Sequence, residues 1–448
     1  MNNCDVLLVN PAFGARFNGA PMNLVALATF LRRHGVDAQT LDLCIESEPQ
    51  PTFESALHRL SPRIIALGSY SPTHLAAIDL ARTVRSALPE ALIVKGGIHE
   101  TLVPHETLTR HCEIDVVIEG PGEVPLLQMF ESAKGRLGLG DIPGISFRNS
   151  NGEILRNTRS RSLPGPTLDS LPIPDRRLLK RSSYYDFNIF GGKRTAQVIT
   201  TRGCPYSCTF CPASASNKDI DPYRWRTIQS IMDEIECIKQ QGFDAIFFDD
   251  SVFTLNEGRT YKICEEMYGS QLEWACQTRV DCVSPRLLAS MKNAGCSYIF
   301  FGLESGDEGQ LQLMRKDLNP DQSWKALREA IDAGLTVGVS LIVGYPGESE
   351  SKVVELLTRL STFDQRFLAV SLSMFALYPG TTEWARAKAS GIVQTDSYES
   401  AHAQDSIWDR FDEGRGAIHV VDVDYAWRMQ QLAENILGEK ALFSELPR

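Results

Sequence analysis

Short apolar runs alternate with helical patterns over the first third of the chain. The run Asp5–Asn10 is continuously apolar, as a buried parallel strand requires, and the sequence after it has the spacing of a helix that ends at Gly35. Three further apolar runs and one weaker run follow, each with helical sequence behind it. About five such units over residues 1–135 predict a doubly wound, Rossmann-like α/β domain with a parallel sheet.

The alternation stops between residues 136 and 195. Two short runs flank Asn151–Gly152, and Asn-Gly is a preferred hairpin turn, so a small β-hairpin is expected there. The proline-rich stretch 162–175 is typical of an ordered linker. We therefore predict a hairpin and linker between two larger domains.

Strand and helix patterns alternate again from residue 196 to 391. Six apolar runs with amphipathic helical sequence between them predict a partial (β/α)6 barrel, related to the eight-stranded one. The active site of such a barrel lies at the carboxyl ends of its strands. Residues 392–448 have a mixed pattern, which predicts a partly helical tail.

Composition and charge narrow the class of protein. The chain has 448 residues and a formal net charge of -11, which argues against a nucleic-acid partner. No stretch approaches 18 uninterrupted apolar residues, so no membrane span is expected. The first residues lack the features of a signal peptide, and most of the 11 cysteines are scattered. These features predict a cytoplasmic protein without a disulfide scaffold.

Three cysteines are crowded into one polar loop after the first barrel strand. Cys204, Cys208 and Cys211 have the spacing C-x3-C-x2-C. A structural zinc site needs a fourth ligand, and no histidine occurs between Cys112 and Ala401. An iron–sulfur cluster fits the count better, because three thiolates leave one iron open for a small ligand.

With Phe210 as the aromatic residue, the motif C-x3-C-x-aromatic-C resembles the signature of the radical S-adenosylmethionine (SAM) superfamily. The resemblance implies that the three cysteines hold a [4Fe-4S] cluster and that the open iron chelates SAM. It implies reductive cleavage of SAM to a 5′-deoxyadenosyl radical, which takes a hydrogen atom from the substrate. It also implies an electron donor that is similar to flavodoxin or ferredoxin.

By the same resemblance, strand ends of the barrel offer further contacts to SAM. Asp249 and Asp250 stand where the family's second strand approaches the methionyl end of SAM, although the usual Gly-Gly-Glu is absent. A carboxylate pair that caps the next helix explains them equally well. Arg279 reaches a carboxylate of SAM or substrate, or else forms a surface salt bridge. Glu304 and Ser305 match positions that contact SAM in relatives.

The first domain resembles the cobalamin-binding domains of B12-dependent radical SAM proteins, in the stretches Gly96–Thr101 and Glu119–Glu123. Their glycines let the backbone approach a large planar ligand. The predicted cobalamin contacts are Gly96, Gly97, His99, Thr101, Gly120, Gly122 and Glu123. His99 is equally well explained as a polar residue that is satisfied near the strand end. The Asp-x-His-x-x-Gly motif that supplies a cobalt ligand in other B12 proteins is absent, as is frequent in this group.

These features favour a cobalamin-dependent radical SAM methyltransferase that acts on a carbon of a small natural product or lipid. The alternative is a radical SAM enzyme that transfers no methyl group, such as a dehydratase, dehydrogenase, epimerase or cyclase. A non-catalytic iron–sulfur regulator is a third reading. Tyr345, Cys276 and Cys282 lie near strand ends, where they would donate a hydrogen or proton, although such residues more often belong to the core.

Overall fold

The structure is a computed structural model. It describes residues 4–12, 19–133, 135, 137–158, 166–179, 184, 189–216, 220, 222–363, 367–393, 418–419, 423–438 and 441–443. Most of the predicted tail and the first part of the proline-rich stretch lie outside these residues.

The first sheet has seven strands. They are β1 (Val6–Asn10), β2 (Ala38–Asp42), β3 (Ile64–Gly68), β4 (Leu92–Gly96), β5 (Val116–Ile118), β6 (Ile145–Arg148) and β7 (Ile154–Asn157). Their order is β2-β1-β3-β4-β5-β6-β7. The first five strands are parallel, which confirms the predicted doubly wound sheet. The predicted hairpin is β6–β7, and it pairs antiparallel with β5 and so extends the same sheet.

Six helices accompany this sheet. They are α1 (Met22–Arg33), α2 (Pro49–Leu60), α3 (His74–Ala87), α4 (Ile98–Leu102), α5 (Pro104–Arg110) and α6 (Glu123–Ser132). Alternate residues of β1 point to opposite faces, so that Val6 and Leu8 pack with α1 and α6 while Leu7 and Val9 pack with α2 and α3. Because both faces are covered, the strands have continuous apolar runs rather than an alternating pattern.

The second large sheet forms the partial barrel, and it has seven parallel strands. They are β8 (Thr195–Val198), β11 (Ala245–Phe248), β12 (Glu273–Arg279), β13 (Cys296–Glu304), β14 (Thr336–Val343), β15 (Phe367–Met374) and β18 (Ala441–Phe443). Their order is β18-β15-β14-β13-β12-β11-β8. The six predicted strands are present. The partial (β/α)6 barrel is therefore confirmed, and β18, which comes from the tail, extends its sheet by pairing parallel with β15.

Two short antiparallel ladders and nine helices complete the described part of this region. The ladders pair β9 (Thr201–Arg202) with β10 (Arg224–Trp225), and β16 (Ala376–Leu377) with β17 (Ile418–His419). The helices are α7 (Pro212–Ser216), α8 (Ile228–Gln240), α9 (Glu257–Met267), α10 (Pro285–Asn293), α11 (Glu308–Leu313), α12 (Pro320–Asp332), α13 (Glu350–Ser361), α14 (Thr382–Ala389) and α15 (Val423–Leu437). Among the helices that the structure describes, none has the length and hydrophobicity of a membrane span.

The carboxyl edge of the first sheet faces the mouth of the barrel. Helix α4, which follows β4, contacts α7, which follows the cysteine loop. Leu102 packs against Gly380 of the barrel, where a Cβ would lie only 3.0 Å from the leucine side chain. The linker contacts both domains, because the Asp175 N–H donates to the Thr29 hydroxyl of α1 at 2.9 Å while Arg176 donates to the backbone oxygen of Gln197 and to Glu234, both at 2.5 Å. Ligands of the two domains would therefore share one interface.

Candidate functional site

Cys204, Cys208 and Cys211 lie in the loop between β9 and α7, at the carboxyl end of β8, and none of them is disulfide-bonded. Among the described residues, the one group of three His, Cys, Asp or Glu ligand atoms within 4.8 Å of one another lies in the first domain. Three thiols in one loop are a ligand set for an iron–sulfur cluster, which is held by cysteine thiolates.

Arg279 lies beside this loop and is almost fully buried. Its guanidinium stacks on the Tyr206 ring at 3.8 Å, and Asp281 accepts two hydrogen bonds from it at 2.9 Å. The backbone oxygen of Lys316 accepts a third at 2.7 Å. Arg279 therefore forms a salt bridge with Asp281, and the bridge is largely buried rather than on the surface. Its Nη1 is buried and has no hydrogen-bond partner among the residues that the structure describes, a partner that a cluster sulfide or a SAM carboxylate would provide.

A second positive charge lies near the cysteines. Burial raises the pKa of the Cys208 thiol, and the charges of Lys316 and Arg279 oppose this rise. The Lys316 ammonium donates to Glu304 Oε1 at 2.6 Å, and both side chains are buried. Two cations beside three thiols would compensate part of the negative charge of a thiolate-ligated cluster. These features fit the group that the cysteine motif implies.

Glu304 ends β13 in a strained backbone conformation. Its φ is +65°, in the left-handed region that favours glycine. The carboxylate accepts from Lys316 and, at 3.1 Å, from the Ser340 hydroxyl. Gly302 provides the space, since a Cβ there would lie 2.8 Å from Lys316 Nζ. Strain of this kind persists where the surrounding contacts fix it, often at functional sites.

Ser305 and Phe210 have partners of their own. The Ser305 hydroxyl oxygen accepts from the backbone N–H of Asp307 at 3.1 Å, as at the start of a helix. Phe210 packs against the apolar cluster that contains Tyr345 and Phe375. Both side chains therefore support the loops around the cysteines, and their predicted contacts to the cofactor remain predictions.

The two adjacent acids at the end of β11 have different environments. Asp250 is buried and accepts four hydrogen bonds, from the backbone N–H and the hydroxyl of Thr200 and of Thr201, at 2.5 to 2.8 Å. It therefore holds the chain that leads into the cysteine loop and does not cap the next helix. Asp249 has one such contact, from the Gln277 amide at 3.3 Å. Burial, with the negative charge of Asp250, raises the pKa of Asp249 to about 7.

Asp249 also lies close to the first domain. Tyr70 follows β3, and the Asp249 charge adds to the effect of burial in raising the pKa of its phenol. Tyr70 is 56% exposed, as expected for a residue that borders an open cleft. Asp249 therefore remains free to accept from a ligand between the domains.

A cavity of about 360 Å³ lies between the first sheet, the linker and the barrel. This volume is in the usual range for ligand sites. Its lining combines strand-end glycines, an apolar face of α1 and α6, and polar residues of the barrel. The lining includes Gly68, Gly96, Gly97, Gly120, Gly122, Thr101, Glu123, Leu24, Leu27, Phe30, Leu126, Leu168, Pro172, Ile199 and Arg202.

The glycines form a cradle without side chains. Gly97 has a φ of +125°, and a Cβ there would lie 2.2 Å from the Ser69 backbone oxygen. At Gly96 a Cβ would make only ordinary contacts in the protein, so its absence keeps the cavity open. The Thr101 hydroxyl donates to Gly97 O at 2.8 Å and accepts from Gly120 N at 2.9 Å, which ties the two glycine loops together. The glycine cradle fits a large ring system. The apolar slot behind it, formed by Leu24 and Leu27 of α1 and Leu126 of α6, fits an apolar appendage of the same ligand.

His99 is the predicted cobalamin contact that the structure does not bring to the cavity. It is buried, its Nδ1 lies 2.9 Å from the Ser71 hydroxyl, and its ring is 4.1 Å from that of His74. The reading as a polar residue satisfied near the strand end is the one that the structure supports. Glu123 does line the cavity, and its Oε1 accepts from Arg202 Nη2 at 2.6 Å.

The buried network around His99 was missed by sequence analysis. Glu100 accepts from Lys95 at 2.7 Å and from the Thr107 hydroxyl at 2.6 Å, and it lies 3.0 Å from His74 Nδ1. Burial alone would raise the pKa of Glu100, but Lys95 and His74 hold it well below the usual range. Ligand atoms of His74, His99 and Glu100 lie close enough for a metal ion. The Glu100 carboxylate, however, is already paired with a cation, the Lys95 ammonium, which occupies the place that a metal ion would take.

The three residues considered as hydrogen or proton donors have other contacts. Tyr345 is buried, and its hydroxyl donates to Glu383 at 2.6 Å. Cys276 belongs to β12, and its side chain is fully buried in the core between the barrel sheet and the helices that cover it. Cys282 lies 3.2 Å from the Tyr206 hydroxyl, beside the cysteine loop. The reading as structural residues is therefore supported for Tyr345 and Cys276.

Two family models match the chain. Residues 198–360 match the radical SAM superfamily, and residues 14–129 match the B12 binding domain. An uncharacterised methyltransferase of Pyrococcus horikoshii is 28% identical over 384 residues, which cover 84% of this chain and 80% of the relative. The anaerobic magnesium-protoporphyrin IX monomethyl ester cyclase of Cereibacter sphaeroides is 26% identical over 392 residues, which cover 84% of this chain and 62% of that enzyme.

One solved structure shares the whole architecture. It is the radical SAM methyltransferase TsrM from Kitasatospora setae, with cobalamin and a [4Fe-4S] cluster bound. The alignment has a TM-score of 0.78 and 17% identity, and covers 100% of this chain and 93% of that one. At this identity the likeness concerns the fold.

Proposed function

We propose that this chain, a radical SAM enzyme with a B12-binding domain, transfers a methyl group to a carbon of a small molecule in a cobalamin-dependent reaction. One observation carries the proposal: the cysteine loop and the glycine-lined cavity share a wall. Arg202, two residues before Cys204, lines the cavity and bonds to Glu123 on its other side. A substrate held at this wall would contact both cofactor sites.

The barrel residues would hold the cluster and SAM. Cys204, Cys208 and Cys211 would ligate the [4Fe-4S] cluster through their thiolates. Arg279 Nη1 and the Lys316 ammonium would attract the carboxylate of SAM, because both are buried positive groups beside the loop.

The acids at the ends of β11 and β13 would complete this binding site. Asp249 would accept a hydrogen bond from the SAM ammonium, and Glu304, held by Lys316 and Ser340, would orient the remainder of the molecule with Ser305. Asp250 would act indirectly, by fixing Thr200 and Thr201 at the entry of the loop.

The first domain would hold cobalamin against its glycine edge. Gly96, Gly97, Gly120 and Gly122 offer backbone surface at the ends of β4 and β5, and Thr101 fixes their loops. The apolar slot between α1 and α6 would exclude water from the appendage of the ligand. When bound, the cluster with SAM supplies a 5′-deoxyadenosyl radical, and cobalamin supplies the methyl group.

The domain division and the partners belong to the same proposal. Residues 1–135 would bind cobalamin, 136–195 would extend the sheet and link the domains, and 196–391 would bind the cluster and SAM, with 392–448 as the tail after them. A flavodoxin- or ferredoxin-like protein would provide the electron. The 11 cysteines are all free, which suits a reducing cytoplasm.

A second candidate is a radical SAM reaction without methyl transfer. The cyclase among the relatives covers the same share of this chain as the methyltransferase does. Both candidates require the cysteine loop. They differ in whether SAM is also consumed as a methyl donor.

The decisive experiment is anaerobic purification with a reconstituted cluster and added cobalamin, followed by measurement of bound cobalt and of the products of SAM after reduction. Methyl transfer predicts bound cobalamin and both 5′-deoxyadenosine and S-adenosylhomocysteine. 5′-Deoxyadenosine alone would favour the second candidate, and neither product would favour the regulator. Cys208→Ala should abolish 5′-deoxyadenosine, whereas Cys237→Ala, a substitution on helix α8 outside the loop, should leave it unchanged.

A further inference from the structure

The residue after the second loop cysteine is tied to distant parts of the barrel through all three of its polar groups. The Thr209 backbone N–H donates to Met314 O at 2.9 Å, and its backbone oxygen accepts from Glu383 N at 3.2 Å. Its hydroxyl lies 2.9 Å from that of Tyr345, which is 136 residues away along the chain. Thr209 is buried, so these contacts compete little with water.

The side-chain contacts form a directed series. The Tyr345 hydroxyl donates its single proton to Glu383 Oε1 at 2.6 Å, and Arg386 donates to the same oxygen at 2.7 Å. The Thr209 hydroxyl is therefore the donor to Tyr345. The series ends on a carboxylate that is paired with a cation, and hydrogen bonds to charged groups are stronger than neutral ones. Tyr345 is thus fixed from both sides and is not directed at a substrate.

We propose that Thr209, Tyr345 and Glu383 form a clamp that positions Cys208 and Cys211 before any cluster is bound. The clamp rests on the proposed function only in taking these cysteines as cluster ligands. Phe210, inside the same loop, packs against the apolar cluster that contains Tyr345 and so adds apolar packing to the polar contacts. A loop held from the opposite side of the barrel mouth keeps its thiols in place without the metal, which lowers the entropy lost on binding.

The first test uses metal-free protein and therefore does not depend on activity. The rate at which N-ethylmaleimide labels Cys208 and Cys211 is measured by mass spectrometry in the wild type, Thr209→Val and Tyr345→Phe. We expect labelling to become roughly three- to tenfold faster, as expected for loss of one net hydrogen bond that keeps the loop closed. Tyr261→Phe is the control, because it removes a Tyr–Glu hydrogen bond, to Glu257 at 3.4 Å, on helix α9 outside the clamp. It should label at the wild-type rate.

Two further measurements distinguish a loosened cysteine loop from unfolding of the whole protein. Cys237 on α8 serves as an internal standard, and its labelling rate should not change. If Cys237 also labels faster in a variant, Thr209→Ser decides, since it keeps the hydroxyl and should behave as wild type while Thr209→Val does not. The double variant Thr209→Val/Tyr345→Phe should label no faster than Tyr345→Phe, because the two groups act through one series.

The second readout is the rate at which a chelator removes iron from the reconstituted protein. It should rise in Thr209→Val and in Tyr345→Phe, and not in Tyr261→Phe. Wild-type labelling and iron-release rates in both clamp variants would overturn the clamp. Full iron content in Cys208→Ala would instead refute the proposed cluster ligand, while the labelling result would still test the clamp.

Discussion

Arg202 of the barrel and Glu123 of the first domain form an ion pair of 2.6 Å at the wall that separates the cysteine loop from the glycine-lined cavity. Glu123 begins α6, directly after the loop of Gly120 and Gly122, and Arg202 ends β9, just before Cys204. The pair therefore links the loop that leads to the cysteines with the loop that lines the cavity.

Removal of this pair should weaken both sites. Arg202→Gln removes a cation from the buried Glu123 carboxylate, which typically costs about 3–5 kcal/mol when both groups are buried and less here because Arg202 is partly exposed. We expect a lower affinity for cobalamin, measured by absorbance titration, and faster loss of iron to a chelator. Arg156→Gln is the control, since its ion pair with Glu119 lies on an exposed arginine. Equal behaviour of the two variants would contradict the coupling.

The adjacent acids Asp249 and Asp250 should respond oppositely to amide substitution. The pKa of Asp249 is about 7, above its unfolded value, so the wild type loses stability as the pH rises from about 4 through 7. Asp249→Asn should therefore raise the unfolding free energy at pH 8, by at most about 4 kcal/mol for the three-unit shift, and have no such effect below pH 4. Urea denaturation across this pH range measures both.

Asp250→Asn should destabilise the protein at every pH of that series. Its carboxylate accepts four hydrogen bonds from Thr200 and Thr201, three at Oδ1 and one, from the Thr200 hydroxyl, at Oδ2, where an amide nitrogen cannot accept. We also expect lower iron retention in this variant, because the same threonines lead into the cysteine loop. A stability equal to that of Asp249→Asn would show that these four contacts are unimportant.

The neighbouring glycines 96 and 97 should separate folding from binding. Gly97→Ala places a Cβ 2.2 Å from the Ser69 backbone oxygen at a φ of +125°, so the first domain should lose several kcal/mol of stability. Gly96→Ala meets only Ile118 at 3.7 Å, so it should fold normally and lower the affinity for cobalamin by filling the cradle. Thermal unfolding and cobalamin titration of both variants check this; normal cobalamin binding by Gly96→Ala would place the ligand elsewhere.

The buried Lys95–Glu100 pair should dominate the acid sensitivity of the first domain. The folded pKa of Glu100 is depressed, so its contribution is present above the unfolded pKa of about 4.3 and is lost as the pH falls through the folded value. Lys95→Met removes the cation and should cost about 3–5 kcal/mol at pH 7. The control is Lys193→Met, whose partner Glu273 is part-exposed, with an expected change below about 1 kcal/mol. Denaturation at pH 7 and pH 4 compares them.

The parts of the fold that depend on local pattern were predictable from the sequence. Apolar runs and glycine helix ends identified the strands of the first sheet and six strands of the barrel, because both sheets are covered by helices. The seventh barrel strand, β18, was not predicted, since three residues, Ala441–Phe443, are too few to show a period. The hairpin was predicted, but its pairing with β5 depends on tertiary contacts that no local pattern encodes.

The sequence predicted site residues where a local motif identifies them. It did not predict contacts between residues that are distant in sequence. The spacing of the three cysteines indicated their loop directly. Lys316 gave no signal, because it reaches Glu304 only through the turn after α11. Thr209 resembled an ordinary loop residue until the partners of its hydroxyl were placed beside it by the barrel. His99 does not line the cavity although its neighbours Gly97 and Thr101 do, and no local pattern distinguishes it from them.

The cavity has a thermodynamic consequence, because its walls come from three separate segments of the chain. Leu24 belongs to the first domain, Leu168 and Pro172 to the linker, and Ile199 to the barrel. An occupant that binds only the assembled walls stabilises their assembly by mass action. The empty protein is therefore expected to melt in two calorimetric transitions, one for each domain, and the loaded protein in one, with the ligand acting as a cross-link between the two domains.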